Sequence, residues 1–220
     1  MTTSHSKLLS AWTPDKQTAW RAQHPAQALT LHMLLDTSGS MDGHMDALSK
    51  GYNLYLRWLQ RHGPPMALLD TRFFTTQITA AQPLALGGAP ALTPQTRTPS
   101  GGTALYDAVG TIVSTASQPG QHVLVVFTDG QDEDSTHWTA AQVHTLLTTV
   151  QQESGWLCVF LGAFAAALEV ARSMGFLPGN CLTFPNEKLP EAFTTLQQAT
   201  QRYLAAIPQD RKRLAQGGIF

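Results

Sequence analysis

Three apolar runs divide this chain, and each is short enough for a strand. Residues 29–35, LTLHMLL, are apolar on both sides apart from His32; residues 121–128 form a second strongly apolar run and 156–161 a third. Runs with no polar face belong to sheet strands covered on both sides. Between the first two, residues 41–61 carry Met45, Leu48, Tyr52, Tyr55, Leu56 and Leu59 at nearly helical spacing, stopped by Gly63, Pro64 and Pro65. Residues 66–74 and 77–86 read as an antiparallel hairpin at a sheet edge, turning near Thr75 and Thr76. Further helices are expected over 104–117, 136–153, 163–174 and 189–207, with a short strand at 181–184. The intervening 87–102, GGAPALTPQTRTPSGG, is too rich in Gly, Pro and Thr for regular structure.

Strands alternating with helices, after one early hairpin, predict an α/β fold: a doubly wound, mostly parallel central sheet with one antiparallel edge strand, flanked by helices on both faces. In such sheets ligands bind beyond the carboxyl ends of the strands, where the strand order reverses. The expected organisation is an N-terminal extension over 1–28 that packs Trp12 and Trp20 onto the body, one domain over 29–207, and a tail over 208–220. Within that tail Arg211, Lys212 and Arg213 begin a frayed end.

Composition narrows the function. Hydrophobic residues make up 43% of the chain and charged residues 13%, enough for a substantial core. A formal net charge of -1 gives no general pull toward polyanions, so nucleic acid is excluded as an expected partner. Cys158 and Cys181 form no CxxC pair and read as reduced, buried thiols. With no signal-peptide pattern in residues 1–16 and no run of roughly 20 apolar residues, the expectation is a cytoplasmic protein that does not enter the membrane.

The candidate chemistry sits where the apolar runs end. Residues 31–41, LHMLLDTSGSM, deliver Asp36, Ser38 and Ser40 into a turn that Gly39 permits; 100–107, SGGTALYD, offers the Thr103 hydroxyl after two glycines; and 123–130, VLVVFTDG, ends on Asp129. Oxygen donors of this kind suit a hard divalent cation, Mg²⁺ first and Mn²⁺ or Ca²⁺ as alternatives. Two carboxylates bring about two negative charges at neutral pH, and crowding them in one crevice is costly without a cation. Three hydroxyls add coordination without charge. The ion therefore stays net positive and keeps a position for an outside acidic group, such as an Asp or Glu carboxylate of a partner protein.

At these residues the chain resembles a known family. Asp36-Thr-Ser38-Gly-Ser40, Gly102-Thr103 and Thr128-Asp129-Gly130 are similar to the metal-ion-dependent adhesion site of the von Willebrand factor type A (vWA) domain, complete at all five liganding positions. ALYDAVG at 104–110 and LGAFAAALEVARSMG at 161–175 look like bacterial stand-alone members. The resemblance spans roughly 29–207 and implies a Rossmann-like sheet ordered 3-2-1-4-5-6, a bound Mg²⁺ or related ion, and protein recognition without catalysis. It implies that Asp36, Ser38, Ser40, Thr103 and Asp129 surround the ion, some through water, with Asp107 as an acceptor behind them.

Other readings compete for single residues. Ser40 and Asp42 could cap the following helix, and Asp132-Glu133-Asp134 reads as a solvated loop before a helix N-terminus, or as a rim that shapes partner choice. His44 and His137 read as surface residues. For the whole site the alternative is a phosphatase of the haloacid-dehalogenase type with Asp36 as nucleophile. That chemistry wants a second acid where this chain has Ser38, and a lysine after the mid-chain hydroxyl, whereas no lysine lies between Lys50 and Lys188.

Overall fold

Strand β1 (Leu29–Asp36) runs through the middle of a six-stranded sheet, buried at every one of its positions. The computed structural model describes residues 14–23, 28–116, 120–153, 156–206 and 208–220. β1 pairs in parallel with β2 (Leu68–Phe74) on one side and β4 (Gln121–Thr128) on the other. β4 continues to β5 (Leu157–Gly162) and β6 (Cys181–Thr183), and β3 (Leu84–Ala85) closes the far edge antiparallel to β2. The order β3-β2-β1-β4-β5-β6 reverses direction between β1 and β4, as the resemblance implied.

The pleat sorts the side chains into two cores. Leu29, Leu31, Met33 and Leu35 join Val125, Phe127 and Val159 in one layer, under α2 (Met45–His62) and α6 (Leu189–Ala205). Leu34, Leu124, Val126 and Phe160 face the other, under α3 (Leu105–Thr115), α4 (Ala140–Glu153) and α5 (Ala167–Ser173). α2 and α6 meet closely because Gly51 has no side chain: a Cβ there would run into the Phe193 ring. The Tyr55 hydroxyl bonds Thr200 Oγ1 across this seam at 2.9 Å.

The second face of the sheet contains a buried polar array. His32 Nδ1 lies 3.4 Å from Asp70 Oδ2, and His32 Nε2 lies 3.0 Å from His122 Nδ1. Arg72 Nε donates to Asp70 Oδ2 at 2.8 Å, and the Gln82 N–H donates to Oδ1 at 3.0 Å. Both His rings stack with Trp156. Burial raises the Asp70 carboxyl, but the His32, Gln82 and Arg72 partners together outweigh it and hold Asp70 below the ordinary carboxylate range.

The structure corrects several boundaries. The expected hairpin shrinks to β3 and one bridge between Phe74 and Ile78. Side chains replace part of its ladder: the Thr79 N–H still donates to the Phe73 carbonyl, but Thr79 Oγ1 takes the Phe73 N–H, Asp70 takes that of Gln82, and Pro83 has none to give. α4 begins at Ala140 rather than at 136, because Thr139 and Gln142 form a reciprocal cap, Thr139 N–H to Gln142 Oε1 at 2.9 Å and Gln142 N–H to Thr139 Oγ1 at 3.3 Å. The tail is no frayed end. It forms α7 (Pro208–Gly217), with Ala215 and Ile219 buried, and Arg211 bonds the Leu204 and Ala206 carbonyls and Gln121 Oε1. Asn180 bonds both the Ala215 carbonyl and the Ile219 N–H. At the other end α1 (Pro14–Gln23) carries a half-buried Trp20, while Trp12 lies outside the described residues. Among the described residues no helix is long and apolar enough to cross a membrane.

Candidate metal centre

Asp36 is the last residue of β1, and Thr128, the last of β4, stands at the same level of the sheet. The Thr128 hydroxyl donates to Asp36 Oδ2 at 2.6 Å, and the Ser38 N–H turns back to Oδ1 at 2.8 Å. This local turn ends β1 and sets the direction of the next side chains. Ser38 Oγ lies 3.1 Å from Ser40 Oγ, which donates to Asp129 Oδ1 at 2.7 Å. The helical start does not consume these hydroxyls, since α2 has His44 at its N-cap with no side-chain capping bond.

The third segment is fastened to the first through the backbone. The Gly39 N–H donates to the Gly101 carbonyl at 2.9 Å and the Ser100 N–H to the Thr37 carbonyl at 3.1 Å. A Cβ placed on Gly130 would stand 3.3 Å from Thr103 Oγ1 and 3.9 Å from Ser40 Oγ, so these two hydroxyls converge on the space beside Gly130. All five sequence candidates thus meet at one end of β1 and β4. Asp36, Ser38 and Thr103 are buried, Asp129 is half-buried and Ser40 is exposed.

The charge balance is unusual. Burial pushes the Asp36 carboxyl above its ordinary range; hydrogen bonds from Thr128 and Ser38 oppose this, and the Asp129 charge adds to it. Among the described residues no ion pair involves Asp36 or Asp129. Nor do three His, Cys, Asp or Glu side chains come together as a metal-binding group among those residues, so any ion here would rely on two carboxylates and neutral hydroxyls. That donor set fits Mg²⁺ or Ca²⁺, which accept hydroxyl and water oxygens, better than a softer ion.

Several neighbours were missed or misread from the sequence. Thr128 is a direct partner of Asp36, a role only the pairing of β1 with β4 could reveal. Asp107 turns to the loop after β4, accepting the N–H groups of Thr136, His137 and Trp138 at 2.9, 2.9 and 2.7 Å. Burial raises its carboxyl, but these bonds and the His137 side chain outweigh that and leave it lowered. His137 is mostly exposed, its Nδ1 3.1 Å from Asp107. The acidic run is not merely solvated: Asp132 accepts the Tyr106 N–H and Asp134 the Thr103 N–H, both at 3.0 Å.

No family model matches the sequence, and a search of curated proteins returns no match. Solved structures do resemble the fold. The vWF domain of the type V pili tip protein Mfa5 from Porphyromonas gingivalis aligns at a TM-score of 0.62 and 10% identity, covering 81% of this chain and 97% of that one. Proximal thread matrix protein 1 from the mussel byssus aligns at 0.58 and 17%, covering 79% and 46%. A von Willebrand factor type A protein from Catenulispora acidiphila aligns at 0.53 and 16%, covering 78% and 42%. The chain therefore spans less than half the length of the last two. The fold is vWA-like.

Proposed function

We propose that this protein is a metal-dependent protein-interaction module, in which Asp36, Ser38, Ser40, Thr103 and Asp129 hold Mg²⁺, with Mn²⁺ or Ca²⁺ as substitutes. The observation that carries the reading is a pair of carboxylates brought to one sheet end among three hydroxyls, with no ion pair to either among the described residues. When bound, such an ion supplies a coordination position that an Asp or Glu carboxylate of a partner protein can fill. The chain's own part is to hold the donors. The Ser38 N–H and Thr128 hydroxyl fix the Asp36 carboxylate, and the Ser40 hydroxyl links Asp129 to the β1 turn.

The fold adds support, since its neighbours include a domain of a pilus tip protein, and binding through such a sheet end needs no nucleophile or base. We place the protein in the cytoplasm on its two free cysteines, although a pilus protein among the neighbours argues for the cell surface. Cell fractionation decides that point.

Titration calorimetry with Mg²⁺ is expected to give one site in the wild type and none in Asp129→Ala. Affinity purification from the native cell should capture partners in Mg²⁺ and lose them in EDTA. Capture that survives both EDTA and Asp129→Ala removes the proposal. Hydrolysis of a generic phosphomonoester, abolished by Asp36→Asn, would put a phosphatase in its place.

A further inference from the structure

The loop that follows β4 does more than border the site. We infer that Asp134 is a positioning residue for Thr103: its carboxylate holds the peptide that carries the hydroxyl, so the oxygen is placed before an ion arrives. This rests on the metal reading above.

Thr103 lies in a stretch without regular structure, yet both of its backbone polar groups are taken by the same short loop. Its N–H donates to Asp134 Oδ2 at 3.0 Å, and its carbonyl accepts the N–H groups of Glu133 and Asp134 at 2.9 and 3.3 Å. The adjoining helix start is fastened in the same way, the Tyr106 N–H to Asp132 Oδ1 and the Asp107 N–H to Ser135 Oγ at 2.9 Å. Helix starts leave such N–H groups without intrahelical partners. In return Asp107 takes three N–H groups of the loop. Loop and helix start therefore brace each other, and Thr103 sits at their junction.

Gly102 makes room for the same contact. A Cβ at this position would overlap the Asp134 carboxylate, and its three nearest atoms would all belong to that group. Gly102 is thus the space in which Asp134 reaches the Thr103 peptide. Asp134 joins no group of three His, Cys, Asp or Glu side chains among the described residues; its carboxylate is on the Thr103 N–H, and the role assigned to it runs through that peptide. Ordering a loose hydroxyl would otherwise subtract from binding.

The test uses the full chain, with Mg²⁺ affinity from calorimetry, thermal midpoint, and amide exchange at Thr103 without metal. Asp134→Ala should weaken Mg²⁺ about 10- to 100-fold, the usual effect of losing a partner behind a ligand, and should speed exchange at Thr103 with little change in midpoint. Asp134→Asn keeps an oxygen for the N–H and should stay within about threefold of wild type on the same scale. Gly102→Ala displaces the carboxylate without removing it, so it should mimic Asp134→Ala, and the double variant should be no weaker than either single one. Wild-type affinity and wild-type exchange in Asp134→Ala and Gly102→Ala overturn the inference. If the wild type takes up no Mg²⁺, the metal reading falls, while Thr103 exchange in the same variants still decides whether Asp134 holds that peptide.

Discussion

Asp36 and Asp70 lie one strand apart, both almost fully buried, and their carboxyls are driven in opposite directions. Each is desolvated, and each accepts hydrogen bonds. The difference lies in the partners: Asp70 accepts from His32 and the Gln82 N–H and has the Arg72 guanidinium at 2.8 Å, whereas Asp36 has only hydroxyl and N–H partners and a second carboxylate nearby. A buried charge balanced by its own chain is structural. One left without a cation sits where an outside cation can help it.

The largest effect expected separates these two aspartates. Asp70→Ala leaves the Arg72 guanidinium buried without its carboxylate and should cost about 3–5 kcal/mol, read by urea denaturation. Asp36→Asn, measured without divalent metal, should cost nothing or stabilise, because it removes a charge that folding disfavours. Equal losses from both substitutions would dissolve the distinction.

A pH series sharpens it with a smaller effect. The folded Asp70 carboxyl is lowered from its ordinary value of 3.8, so its contribution is complete above that value and disappears as pH falls through the folded one. Metal-free wild type should therefore lose stability on acidification through this range, and Asp70→Ala should lose less. The smallest effect serves as a control. Lys50 pairs with Asp46 on the exposed side of α2, and Lys50→Ala should change stability by about 0.5 kcal/mol or less.

What could be read from residue order follows short-range physics. The double-sided apolar runs located β1, β4 and β5, and the 3.6-residue spacing from Met45 to Leu59 located α2. The Thr139 and Gln142 cap was also legible as T-x-x-Q, but the helix expected from 136 ran past it. The tail misled for another reason. A basic, polar segment reads as solvated until Arg211 turns back onto the Leu204 and Ala206 carbonyls and reaches Gln121, and Asn180 holds Ala215 and Ile219; Gln121 and Asn180 lie far off in sequence.

The amino-acid order by itself put forward the proposed donors, Asp36, Ser38, Ser40 and Asp129 where strands end and Thr103 just before a helix, because turn chemistry and hydrophobic period are local properties. Only the tertiary structure decided which groups support those donors and which charges are balanced. Thr128 reaches Asp36, Asp134 reaches Thr103, and His32 meets Asp70 and His122, through strand register and loop packing. Hydrogen bonds and ion pairs act over a few ångströms of space, and the distance along the chain leaves no trace of them.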